Sequence, residues 1–215
     1  MIELRTFGGA ELEGIEDKTA RSAATQPKRL ALVVYLVTAD SAFRRRDVVI
    51  ALLWPELDAS RARAALRQAL YSLRRALGDS AIATRGEEEI GVNRDAMSCD
   101  AVVFRECCDN GRHEQALALY RGDFFDGFFP SDVAPEFQQW VDDTRSELRR
   151  RAAECATALS DAARGVGDFQ KAIARTRSVC RRRTRRGRRG DRRGRRSIPL
   201  EQRIVNADTS FRECE

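Results

Sequence analysis

The chain has 215 residues, 33% of them charged and 42% hydrophobic, enough for one large or two small folded domains. No apolar run approaches the ~20 residues of a membrane-spanning helix, the longest being 30–37 and 48–54, and the amino terminus lacks a basic start followed by an apolar stretch. Neither a membrane span nor a secretion signal is therefore expected, whereas a cytoplasmic, nucleoid-associated protein is. The net charge of +6 comes from one place: residues 175–196 hold thirteen arginines against one acid, so the pI near 9.3 says nothing about the folded part.

Taken in order, Ile2, Leu4 and Phe7 alternate, Gly8-Gly9 makes a turn, and Leu12 and Ile15 follow among polar residues, which predicts short antiparallel strands. After Gln26-Pro27 the period changes to three-to-four, through Leu30, Val33, Val34 and Val37, predicting a helix at 27–39 with proline in its first turn. A second helix is expected at 46–54, ended by Trp54-Pro55. A third runs from Ser60 to Leu77, capped by Asp58 or Ser60 and terminated by Gly78.

The third helix carries the functional reading. At about 100° per residue, Ala62, Leu66, Ala69, Leu70, Leu73 and Leu77 form one apolar stripe. The opposite arc bears Arg61, Ala64, Arg67, Gln68, Tyr71 and Arg75, with Arg63 and Arg74 on its margin, and no acid follows Asp58. Between Ala42 and Arg75 eight arginines face only Asp47, Glu56 and Asp58. Residues 81–85 and 90–92 then predict a two-stranded hairpin, a wing with Glu87, Glu88 and Glu89 at its tip and Arg85 as its one favourable contact for phosphate.

Strands, three helices and a hairpin in this order describe a winged helix-turn-helix over residues 1–96. An Arg-rich amphipathic helix alone is more often a solvated face; the hairpin behind it is what points to DNA. Arg67, Gln68 and Tyr71, central on the exposed arc, are the expected base readers. Arg61, Arg63, Arg74 and Arg75 are expected on phosphates, with Arg44, Arg45 and Arg46 adding backbone contacts.

Residues 97–176 read as a second, all-helical and net acidic module. Gly111-x-x-x-x-Ala116-Leu117 and Gly167-x-x-x-x-Ala172-Ile173 share a pattern in which glycine ends one helix and a small alanine lets the next pack closely, as in tetratricopeptide hairpins. A long helix is expected from Pro135 to Arg164, and Phe124, Phe125, Phe128 and Phe129 before it are expected to pack in the core rather than to form a partner groove. The six cysteines form no Cys-x-x-Cys pair and His113 is the only histidine, so neither a metal site nor a disulfide framework is expected, and the thiols read as small semi-buried side chains.

From residue 177 to 215 the chain is expected to be a disordered Arg-rich tail. Such charge would hold phosphates non-specifically. Strings of arginine also arise when codons for Ala-rich helices are read in a shifted frame, and a frameshift near residue 176 is the preferred explanation.

Leu52-Leu53-Trp54-Pro55-Glu56, the run Arg61 to Leu70, and Leu73-Arg74-Arg75-Ala76-Leu77-Gly78 resemble the DNA-binding part of SARP-type bacterial transcriptional regulators. Cys99-Asp100 with Phe104, Ala116-Leu117 through Tyr120-Arg121-Gly122-Asp123-Phe124, and Glu136-Phe137 with Trp140 resemble the bacterial transcriptional activator domain that follows in that family. The resemblance implies an OmpR-type winged helix, promoter DNA and RNA polymerase as partners, self-association as a homodimer on repeated sites, and no cofactor. The rival readings are a helical-repeat adaptor without specific DNA binding and, weakest, an enzyme. The enzyme lacks a phosphate-cradling glycine loop, a nucleophile elbow or paired acids in a recognisable setting.

Overall fold

The computed structural model describes residues 2–39 and 41–165; the Arg-rich tail, the Gly167 motif and the proposed frameshift point lie outside the described residues. β1 (Ile2–Arg5) and β2 (Glu11–Glu13) pair antiparallel, as alternation predicts, with Leu4 opposite Leu12. A third strand, β6 (Met97–Cys99), joins β1 in parallel. This pairing spans nearly a hundred residues, and no local pattern in the sequence announces it.

A short helix, α1 (Lys18–Ala24), was not foreseen. It has no apolar stripe; Asp17 caps it by accepting from the Thr19 amide, and only Ala24 is buried. α2 (Pro27–Thr38) follows and is the centre of the molecule, with every residue from Leu30 to Thr38 buried. β3 (Phe43–Arg45), also unforeseen, leads directly into α3 (Arg46–Leu53).

α4 (Ala59–Leu77) starts where Asp58 Oδ1 accepts the Ser60 and Arg61 amides, each at 3.0 Å, and ends at Gly78, whose φ of +92° only glycine adopts without strain. Its buried residues are the expected stripe: Ala62, Leu66, Ala69, Leu70, Leu73 and Leu77. After a single 3-10 turn at Asp79–Ala81 come β4 (Ile82–Arg85) and β5 (Glu89–Val92), antiparallel as expected.

The hairpin is not two-stranded, however. β3 adds to it in the order β3-β5-β4. Gly91 permits this: a Cβ there would stand 2.1 Å from the Ala42 carbonyl oxygen.

α5 (Asp100–Asp109), α6 (His113–Leu119) and α7 (Pro135–Gly165) make up the rear of the described chain. Gly111, at φ +67°, turns α5 into α6, and Ala116 is fully buried where the two pack. Phe124 and Phe125 are buried, as expected of core packing, whereas Phe129 is 73% exposed. Arg145 of α7 holds that loop by donating to the Phe124 carbonyl at 2.8 Å and the Phe125 carbonyl at 2.9 Å.

Front and rear share one core within a single compact unit. Asp100, the first residue of α5, accepts the amides of Thr6 (2.8 Å) and Phe7 (3.1 Å) and the Thr6 hydroxyl (2.6 Å), fastening the end of β1 to the start of the helical part. Phe7 packs edge-on against Phe104 and Tyr120, and Tyr35 of α2 meets Trp140 of α7 at 4.9 Å between ring centres. The Ala134 amide donates to the Leu52 carbonyl, tying the start of α7 to α3.

Candidate nucleic-acid interface

The face of α4 opposite its buried stripe is open. Arg61, Arg63, Arg67, Gln68 and Arg75 are exposed, Tyr71 is 61% exposed, and Arg74 is half-buried. Seven of the eleven expected site residues thus share one helical surface with no acid inside the helix, and Arg61 pairs with the cap residue Asp58 at 3.3 Å. Arg74 and Arg75 also lie in the last turn, where cations offset the negative end of the helix dipole.

Two clefts border this face. One, of about 690 Å³, is lined by Arg46 at the start of α3, by Arg67, Tyr71, Arg74 and Arg75 of α4, and by Gly78 and Asp79 beyond it. The other, of about 200 Å³, separates α4 from α1 and is walled by Gln68, Tyr71 and Arg75 on one side and by Asp17, Thr19 and Ala20 on the other. α1 therefore flanks the side of the arc that bears Gln68, Tyr71 and Arg75, all three of which stay exposed. Sequence reasoning missed this neighbour because so short and polar a helix has no hydrophobic period.

The remaining basic residues are divided by their surroundings. Arg46 joins the α4 cluster through the larger cleft, and its backbone amide donates to the Glu88 carbonyl at 2.8 Å. Arg45 is exposed and carries an ion pair to Asp47 at 3.2 Å. Arg44 instead faces inward on β3, its guanidinium 5.7 Å from the centre of the Tyr35 ring, which makes it a packing residue as much as a surface charge.

Arg85 on the wing is paired with Glu89 and lies 5.0 Å from the Phe43 ring. That hydrogen bond raises the Arg85 pKa and holds the Glu89 carboxyl below its ordinary range. Its charge is committed within the wing, so a phosphate would have to displace Glu89. No signal in a single sequence reveals either pairing, because both depend on the register of β3 and β4 against β5.

Among the described residues no group of three His, Cys, Asp or Glu side chains could hold a metal ion, and no helix is long and apolar enough to cross a membrane.

Helices packed with two small sheets, with an Arg-rich helix backed by a hairpin and a helical extension behind it, define a mainly helical protein consistent with a winged helix joined to a helical domain. Residues 105–189 match the family model of the bacterial transcriptional activator domain. The match spans less than half of the chain and agrees there with the resemblance of the rear part to that domain.

Among solved structures it is similar to Mycobacterium tuberculosis EmbR in complex with a low affinity phosphopeptide, with 20% sequence identity and a TM-score of 0.58. The match covers 86% of this chain and 51% of that one, so the chain spans about half the length of EmbR. No curated protein matches the chain.

Proposed function

We propose that this protein is a sequence-specific DNA-binding transcriptional regulator, an activator, that lays α4 in the major groove. The observation that carries the reading is the open arc of α4: arginine, glutamine and tyrosine side chains on one exposed surface, with no acid inside the helix, over a fully buried opposite stripe. A rigid helix of this width fits the major groove, where arginine bonds a guanine edge and glutamine an adenine edge, each through two hydrogen bonds.

Arg67, Gln68 and Tyr71 are assigned to base edges. Arg61, Arg63, Arg74 and Arg75 are assigned to phosphates, with Arg46 beside them across the cleft. Arg45 contacts the backbone by giving up Asp47, and Arg85 by giving up Glu89. Arg44 supports the interface from beneath rather than touching it. Residues 1–96 supply the DNA-binding part, 97–176 the activator domain through which RNA polymerase or a second copy on a repeated site is engaged, and 177–215 a basic tail.

The test is binding of the full chain to a duplex selected from a random pool, compared with a scrambled duplex at fixed salt. The reading expects at least about a hundredfold preference for the selected duplex, within the range of specific over non-specific binding. Equal affinity for both duplexes would favour the adaptor reading, in which only the basic tail holds nucleic acid.

A further inference from the structure

Three side chains with chemistry that DNA binding does not use meet where α5 and α6 pack on α7. Cys108 Sγ lies 3.3 Å from Cys155 Sγ, and His113 Nδ1 lies 3.4 Å from the same Cys155 sulfur. Cys155 is buried and Cys108 half-buried, so the pair is reached from the α5 side. The other described cysteines are elsewhere: Cys107 is buried with its sulfur 4.0 Å from Gln115 Oε1, and Cys99 is buried in β6 beside Asp100.

We propose that Cys108 and Cys155 form a redox modification site, a thiol pair that a hydroperoxide closes into a disulfide between α5 and α7, with His113 as the proton acceptor. Two sulfurs already in contact on packed helices need only a small approach to bond, and an imidazole on one of them defines which reacts first.

The Cys155 thiol proton passes to His113 Nδ1, which must be the unprotonated ring nitrogen. The Cys155 thiolate attacks the terminal peroxide oxygen, the O–O bond breaks, and the leaving alkoxide takes the proton from His113 to depart as an alcohol. Cys155 is then a sulfenic acid. Cys108 Sγ attacks the Cys155 sulfur, an S–S bond forms, the S–O bond breaks, and hydroxide leaves with the Cys108 proton as water. Two thiols and one hydroperoxide give one disulfide, one alcohol and one water; the sulfurs lose two electrons and the peroxide oxygens gain them.

The two cysteines have different parts to play because their surroundings differ. Burial, and after it the neighbouring Cys155, pushes the Cys108 thiol up to about 12, so Cys108 keeps its proton at rest. It serves as the resolving thiol, and Cys155, beside His113, as the one first oxidised. A disulfide formed only under oxidant is the kind found in reducing compartments.

The experiment treats the full chain with hydrogen peroxide, blocks free thiols with an alkylating agent and maps linked peptides by mass spectrometry. The expected product is a Cys108–Cys155 cross-link that has lost the mass of two hydrogens and is reversed by dithiothreitol. Cys108→Ser should leave a sulfenic acid on Cys155 that dimedone traps, Cys155→Ser should abolish both products, and His113→Gln should slow cross-linking at least about tenfold.

Linkage of either cysteine mainly to Cys107, Cys180 or Cys214 would overturn the proposal. So would sulfenic acid on Cys108 in the Cys155→Ser protein, or no cross-link at peroxide doses that fully oxidise added glutathione. The wild-type peptide map stands without any variant, so a variant that fails to fold leaves the result readable.

Discussion

Gln68 and Arg74 lie on the same helix, one on the open arc and the other at the rim of the basic cleft, and their chemistry separates them. Gln68→Ala removes a side chain able to pair with one base edge. Binding to the selected duplex should weaken by about 1–3 kcal/mol, roughly fivefold to a hundredfold, while binding to scrambled duplex stays nearly constant. Arg74→Ala removes a charge that any phosphate accepts. Both duplexes should lose affinity alike, and the slope of log affinity against log salt should fall by about 0.9. A parallel titration of both variants on both duplexes checks the assignment, and equal patterns would contradict it.

Arg44 shows what a residue list alone hides. Its neighbours in sequence, Arg45 and Arg46, face solvent and the cleft, but strand alternation turns Arg44 toward Tyr35. In the sequence the three arginines looked equivalent because nothing there marked residues 43–45 as a strand. Asp100 is a similar case. The Cys99-Asp100 pair was legible as part of a resemblance, whereas the reason for the aspartate appears only when β1 arrives to donate two amides and a hydroxyl. Asp100→Ala leaves those donors unpaired and should cost about 2–3 kcal/mol in urea unfolding.

Among the elements, those with a strong period were readable and those held by distant partners were not. α2, α3, α4 and α7 fall within a residue or two of their expected bounds because each shows an apolar stripe or a sharp punctuation mark such as Pro27, Asp58, Gly78 or Pro135. α1, β3 and β6 are short, and their stability comes from contacts made elsewhere, so local pattern carries little of it.

The β3 pairing rests on a single missing atom. Gly91→Ala would drive a Cβ into the Ala42 carbonyl, so the three-stranded sheet should lose about 3 kcal/mol and the seat of Arg46 with it. Thermal unfolding measures the loss, and an unchanged midpoint would show that β3 does not pair as described. Removing the α4 cap by Asp58→Ala should cost a milder amount, about 1 kcal/mol, and releases Arg61 from its ion pair with Asp58 at 3.3 Å.

At the scale of the molecule, the boundary expected at residue 96 does not divide the core. Tyr35, Phe137 and Trp140 pack together, Phe7 packs on Phe104, and the Ala134 amide bonds to Leu52. Anchored this way, α4 rests on a base that includes the helical rear part, α5 to α7.

The front and rear should therefore unfold together. Trp54 and Trp140, the two tryptophans, report on one part each, so single-tryptophan proteins made by Trp54→Phe and Trp140→Phe should give coincident denaturation curves. Separated curves would mean two independent domains. The composition could not show this integration, because aromatic residues scattered over a hundred positions look alike whether they meet or not.

The central claim is that the outer arc of α4 reads base sequence. Its most direct measurement is selection of bound duplexes from a random pool by the full chain and, in parallel, by a protein carrying Arg67→Ala, Gln68→Ala and Tyr71→Ala, at a salt concentration that suppresses phosphate-only binding. The account predicts a recurring sequence in the first pool and none in the second, with both proteins equally folded. The same sequence emerging from both pools, or no sequence from either, would contradict it.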